Sequence, residues 1–173
     1  MIVVERTLAV AAGPAAVLGY LKDFANTPHW DPAAQQTTRN DAGPVIPGST
    51  WHHVCKIFGV TAELTYTLIT ADPFGLLFHG RNEGATCTDT IALRPAGPGT
   101  EVTYRVELEL HGLAKLATPV LKIEFEKLGT ESVARLTTAL NELVAPTPGR
   151  SAELHFPSTT LNTTPTRSQE AQA

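Results

Sequence analysis

Glu124 is the first side chain in this sequence that could do chemistry. It falls between Leu121, Phe125 and Leu128 and beside Val120, so a helical wheel puts its carboxylate on the apolar stripe. A carboxylate held there is desolvated, its pKa rises, and it can act as a general acid or base. The competing reading is that a bend at Pro119, or drift of the wheel, turns it outward to water. His53 lies on a segment in which Trp51, His53, Cys55 and Ile57 share one face. If that face is the inner one, an imidazole and a thiol line an interior beside an indole. The opposite face, His52, Val54, Lys56 and Phe58, is no cleaner, and the sequence leaves the parity open. Cys55 reads more readily as a small buried hydrophobe than as a nucleophile, since no base stands near it in sequence.

His79 and Arg81 share a face opposite Phe78, where the guanidinium fork could hold a carboxylate, enolate or phenolate. The plainer reading, an edge strand with polar residues facing water, is the favoured one. Tyr66, between Leu64 and Leu68, and Tyr104, between Val102 and Val106, fall on dry faces. Each buried hydroxyl needs a partner, either a core group or a ligand oxygen. A metal centre is not expected, because His52, His53 and Cys55 alternate across a strand and cannot converge. No phosphate-binding loop, dinucleotide fingerprint or nucleophile elbow is present.

The elements that position these groups follow from hydrophobic period and turn residues. Residues 2–10 read as a first strand, broken at Gly13-Pro14 before a helix over Ala15–Leu21 with Val17, Leu18 and Leu21 inward. Asp23-Phe24-Ala25-Asn26 opens a second short helical turn, stopped by Pro28 and Pro32. Strands follow at 49–58 and 60–70, hairpinned at Gly59, then at 76–81 and 86–94. In the last strand Val102, Tyr104, Val106, Leu108 and Leu110 alternate with Thr103, Arg105, Glu107 and Glu109, giving one dry and one wet face. Beyond Gly112 the period becomes helical as far as Val144, over about thirty residues. Pro119 is the expected bend and Gly129 a second weak point.

The bulk numbers bound the partners. The 173 residues, 42% hydrophobic, suit one domain. A net charge of −4 offers no basic field for nucleic acid. The N-terminus, with Glu5 and Arg6, reads as a strand rather than a signal peptide, and no apolar run approaches the ~20 residues of a membrane span. Free thiols at Cys55 and Cys87 in a reducing cytoplasm are therefore expected. Residues 145–173, rich in Pro, Thr and Ser, read as a disordered tail behind a domain over 1–144.

A strand, two short helices, a run of antiparallel strands and one long helix imply a curved sheet wrapped around that helix. A curved sheet cannot follow a straight helix along its whole length, and medium-sized dry positions leave the gap unfilled. The inner surface is expected to include Trp30, bordering the entrance, with Trp51, Cys55, Leu64, Leu68, His79, Tyr104, Val106, Val120, Leu121, Phe125 and Leu128.

Several segments, in order, carry a family resemblance. Asp23-Phe24-Ala25-Asn26-Thr27-Pro28-His29-Trp30-Asp31-Pro32 resembles the D-[FY]-x-N-x-P-x-W-x-P signature of the START-like superfamily, polyketide cyclase/dehydrase (SRPBCC) branch. Pro47-Gly48-Ser49-Thr50-Trp51, Asp72-Pro73 and Gly99-Thr100-Glu101-Val102-Thr103-Tyr104 resemble its later motifs, although Asp72-Pro73 lacks the usual second proline. The resemblance spans residues 2–144 and implies an α+β helix-grip fold with a deep hydrophobic cavity. Its members include cyclases, dehydratases, carriers and ligand sensors. The leading expectation is a cyclase or dehydratase without an organic cofactor, acting on an apolar oxygenated molecule through Glu124, His53, Tyr66 and Arg81. The alternative is a non-catalytic carrier or sensor for a lipid or aromatic molecule. The protein is expected to work as a monomer or homodimer. A third possibility is a protein-interaction role for the tail.

Overall fold

Alternating dry positions make the strands, and their pairing makes one sheet. The computed structural model describes residues 1–144, apart from the side chains of Leu113, Ala117 and Val120. The tail expected over 145–173 lies outside the described residues. The strands are β1 (Ile2–Val10), β2 (Ala34–Arg39), β3 (Thr50–Ile57), β4 (Val60–Asp72), β5 (Gly75–Arg81), β6 (Ala85–Ala96) and β7 (Gly99–Leu110). They form a seven-stranded sheet in the order β1-β7-β6-β5-β4-β3-β2. All neighbours are antiparallel. Helix α1 (Pro14–Lys22) and a 3₁₀ turn (Phe24–His29) connect β1 to β2, and helix α2 (Thr118–Glu142) follows β7. This is the α+β helix-grip fold, a curved antiparallel sheet closed by a C-terminal helix.

Three details differ from expectation. The 3₁₀ turn carries Pro28 inside it and ends at His29 rather than stopping at the proline. β2 has no apolar alternation of its own: Gln35, Gln36, Thr37 and Thr38 form a strand only because the free edge of β3 supplies hydrogen-bonding partners. The long helix is shorter than its period suggests. Gly112–Ala117 is a 3₁₀ segment, and α2 begins at Thr118. Pro119 therefore sits in the first turn of α2, where its missing N–H costs no hydrogen bond, and does not bend the helix interior.

The β3–β4 hairpin turns at Phe58 and Gly59, both at positive φ (51° and 78°), as a two-residue turn between twisted strands requires. Gly129 is a point of close approach. A Cβ there would lie 2.7 Å from Val4 Cγ1, so α2 passes directly over β1. Arg6 reinforces the crossing, with Nη2 2.7 Å from Glu126 Oε2 and also donating to the Glu126 carbonyl.

The resemblance segment turns out to be a clasp. Asp23 accepts from the Ala25 N–H at the start of the 3₁₀ turn and from Trp51 Nε1, each at 3.1 Å. Asn26 Nδ2 donates to the Tyr20 carbonyl at 2.8 Å. Thr27 hydroxyl donates to the Phe24 carbonyl. These bonds tie α1, the 3₁₀ turn and β3 together and leave Asp31 as the carboxylate that follows them into the interior.

Candidate active site

Strand register sorts the inward residues into layers. Trp51 on β3, Leu68 on β4, Phe78 on β5 and Val102 on β7 are completely buried, and Leu136 and Leu140 of α2 close over the same end of the sheet. Two residues further along each strand the packing opens. There the inward positions carry His53 on β3, Tyr66 on β4, Asp89 on β6 and Tyr104 on β7, and all four line a cavity of about 340 Å³. Towards the other end its walls are Cys55, Leu64, Val106, Leu121, Phe125 and Leu128. Its mouth lies among Val60 of the β3–β4 turn, Asn82 of the β5–β6 turn and Ala114. The bowl is thus not filled by its own side chains.

The boundary between solid core and cavity is polar. Asp89 is 2% exposed and accepts a hydrogen bond from the Tyr104 hydroxyl through Oδ1. Tyr104 reaches it because Ile91, not Asp89, is its direct partner across β6–β7, which makes the pair a diagonal contact on one face. Trp30 stands edge-on against the Tyr104 ring, centroids 5.5 Å apart, and holds it from behind. Tyr66 crosses the sheet over Gly80. A Cβ at residue 80 would lie 2.5 Å from the Tyr66 ring, so the glycine lets the phenol lie flat across β5 toward Cys87 and Asp89. Phe24 stacks on that ring, centroids 4.2 Å apart.

Burial sets the protonation states. It is the largest cause raising the Asp89 carboxyl, offset in part by Tyr104, Tyr66, Cys87 and His79. Asp31 also lines the cavity and is pushed up to about 6, first by burial and further by the charge of Asp89, against a hydrogen bond from the Ala33 N–H. Burial lowers His53 to about 4, so its ring is neutral at pH 7, with Nδ1 2.8 Å from the Thr37 hydroxyl. Burial raises Cys55 to about 11 and Cys87 well above the usual thiol range, which leaves neither as a thiolate nucleophile. Both cysteines are free and buried.

Of the residues singled out in the sequence, His53, Cys55, Leu64, Tyr66, Tyr104, Val106, Leu121, Phe125 and Leu128 line the cavity. Glu124, Arg81, His79, Trp51, Leu68 and Trp30 do not. Glu124 flanks the cavity-facing stripe of α2, which runs through Leu121, Phe125 and Ser132, because 100° per residue puts it about a quarter turn away. Arg81 is exposed and His79 shares its outward face, since Leu76, Phe78 and Gly80 take the inner positions of β5. β5 is nevertheless not an edge strand but sits between β4 and β6. Trp51 and Leu68 belong to the solid end, and Trp30 supports Tyr104 without reaching the cavity surface. The side chain of Val120 lies outside the described residues.

Asp89 and Asp31 went unread in the sequence. Parity carried the signal for Asp89: Cys87, Asp89, Ile91 and Leu93 are the dry face of β6, with a carboxylate among hydrophobes. Asp31 stood in plain view inside the signature segment. Among the described residues, no group of three or more His, Cys, Asp or Glu could hold a metal ion, and no helix is long and apolar enough to cross a membrane.

Known structures share this architecture. The Zhui aromatase/cyclase from Streptomyces sp. R1128 superposes with a TM-score of 0.71 at 13% identity, covering 86% of this chain and 98% of that chain. A START superfamily protein from Mycobacterium smegmatis gives 0.59 at 20% identity, covering 81% and 94%. A protein from Thermus thermophilus gives 0.61 at 17% identity, covering 79% and 98%. At these identities the likeness is one of fold. No curated protein matches the chain. The family described as "Polyketide cyclase / dehydrase and lipid transport" matches residues 1–141, which include every strand and nearly all of α2, and the chain belongs to that family.

Proposed function

We propose that the cavity enolises an apolar carbonyl compound and so promotes cyclisation or dehydration of a polyketide-like substrate, without an organic cofactor. The observation that carries this reading is the pair of desolvated carboxylates, Asp31 and Asp89, set with two tyrosines at the inner end of an otherwise apolar cavity. With a pKa of about 6, Asp31 is mostly ionised at neutral pH yet basic enough to take a proton from the carbon next to a carbonyl. The enolate carbon can then attack a second carbonyl of the same chain, and Asp31, now protonated, returns its proton to the new alkoxide, or to a departing β-hydroxyl, which leaves as water. The apolar walls exclude bulk water, which strengthens every donor that faces the developing negative oxygen. His53, neutral and edge-on to Tyr66 at 5.2 Å between centroids, serves to position the phenol. The proton-transfer role first sought in Glu124 and Arg81 passes to Asp31, because a group outside the cavity cannot touch the reacting atoms.

The test is turnover of a linear poly-β-ketone thioester analogue. Asp31→Asn is expected to lose about 10²–10⁴-fold in rate, the usual contribution of a general base. Undiminished turnover in that variant overturns the assignment.

A carrier is the second reading, favoured by walls that are largely hydrocarbon and by a family description that includes lipid transport. Native mass spectrometry of protein from its host distinguishes the two. An intact co-purifying lipid, with no turnover of ketone substrates, supports the carrier.

A further inference from the structure

Asp89 holds a buried oxygen that the protein leaves without a partner. Oδ1 accepts from Tyr104, while Oδ2 makes no hydrogen bond among the described residues. A buried polar atom with no partner carries its full desolvation cost, and such a cost in a cavity wall points to a ligand. We propose that Asp89 is the polar anchor of the cavity: Oδ2 carries a proton and donates it in a hydrogen bond to the carbonyl oxygen of a neutral, two-ring-sized ketone that enters oxygen first. The proposal rests on the enolising reading of the same cavity and names the substrate class for it.

The proton is assigned from the surroundings. Two nearby carboxylates that share one dry site do not both ionise readily, and the one with better hydrogen bonds keeps the charge. Asp31 accepts the Ala33 N–H at 2.9 Å. Asp89 has only side-chain donors about it, the hydroxyls of Tyr104 and Tyr66 and the thiol of Cys87, and it is the more deeply buried of the two. The titratable groups that bear on Asp89 are Tyr66 from β4, His79 from β5, Cys87 from β6, Tyr104 from β7 and Asp31. His53 of β3 shares the cavity as a neutral ring, and Arg135 of α2 acts on Asp31 while its guanidinium is engaged by Glu131 at 2.5 Å. Arg6 of β1 also lines the cavity, but Glu126 engages its guanidinium. No free cation is therefore turned to the inner end among the described residues, and an anionic ligand would meet two acidic groups there.

Size follows from volume. At ~30 Å³ for each water-sized group, 340 Å³ holds about eleven such groups, close to two fused six-membered rings. Their hydrocarbon edges would lie against Leu64, Val106 and Phe125.

The experiment uses the full chain with 1-tetralone, 1-naphthoate and 1-aminotetralin, read by calorimetry and by the infrared carbonyl stretch of bound tetralone. Tetralone is expected to bind at least about tenfold tighter than the other two, a gap of about 1.4 kcal/mol, with its carbonyl stretch moved to lower frequency. Asp89→Asn retains one acceptor for Tyr104 and one donor for the ligand, so it should keep tetralone affinity within about threefold. Asp89→Leu should lose about tenfold or more and abolish the frequency shift. Tighter binding of the carboxylate or amine, an unshifted carbonyl, equal affinity in Asp89→Asn and Asp89→Leu, or no binding of tetralone would each overturn the anchor. Failure here is distinct from failure of the enolising reading. Tetralone bound with a shifted carbonyl while the poly-β-ketone is not turned over sinks only the latter. Turnover that persists in Asp89→Leu sinks only the former.

Discussion

Below the row formed by His53, Tyr66 and Asp89 the interior is solid, and beyond it the interior is open, although the same strands and the same helix run through both halves. In the solid half the sheet contributes Trp51, Leu68 and Phe78, and α2 presses Leu136 and Leu140 onto them. In the open half the sheet contributes Cys55, Ala62, Ala85 and Cys87 beside Leu64 and Val106, and α2 offers Leu121, Phe125 and Leu128, each only half-buried. Small residues on the sheet face a helix whose close contact with it is made at the Gly129–Val4 crossing on the edge strand β1, and together these leave the void. The polar row lies at the seam, where a carboxylate can be desolvated by the core on one side and still meet a ligand on the other.

The contrast should be sharpest in stability. Leu140→Ala opens a hole in the solid half and is expected to cost about 2–5 kcal/mol in urea unfolding. Leu128→Ala enlarges a space that is already there and should cost roughly 1 kcal/mol or less, because its neighbours lose few contacts. Equal costs at the two sites would mean that the halves are packed alike. Gly80→Ala comes next. Its methyl group collides with the Tyr66 ring, so a loss on the order of 1–3 kcal/mol is expected. A drop in tetralone binding should accompany it, whereas Gly19→Ala, with open space around its Cβ position, should leave binding unchanged.

The smallest effect lies in the seam itself and is read as stability against pH. The Asp31 pKa is raised on folding, to about 6 from 3.8, so its contribution is fully present below pH 4 and is lost as pH rises through 6. The His53 pKa is lowered, to about 4 from 6.5, so its contribution is present above 6.5 and is lost as pH falls through 4. The two oppose each other over one window and partly cancel in the parent protein. Asp31→Asn should therefore gain stability relative to the parent as pH rises from 4 to 6, and His53→Gln should lose relative stability over the same rise. Denaturant titrations at pH 4.5 and 7.5 separate them. Parallel profiles for all three proteins would show that neither group is desolvated.

Much of the scaffold was legible because period and turn chemistry are local properties. The unbroken alternation through β7, the hairpin at Gly59 and the apolar stripe of α2 each report which way their own residues point. β2 escaped because its strand character is borrowed from the edge of β3. The parity of β3 stayed open because both faces carry a histidine beside apolar residues, and only pairing with β4 turned Trp51, His53 and Cys55 inward. For Glu124 the period was right and the phase was not: a quarter turn separates a cavity wall from its flank.

The sequence by itself determined every strand but β2, the order of the elements, the family signature and the presence of a long amphipathic helix facing a curved sheet, since these depend on residues close to one another along the chain. Tertiary structure alone decided which half of the bowl stays empty, and that Asp31 from a loop meets Asp89, Tyr66 and Tyr104 from three strands. Desolvation is the reason. A carboxylate's chemistry depends on what surrounds it in space, and the groups that act on or beside Asp89 come from sequence positions as far away as Tyr66 and Asp31.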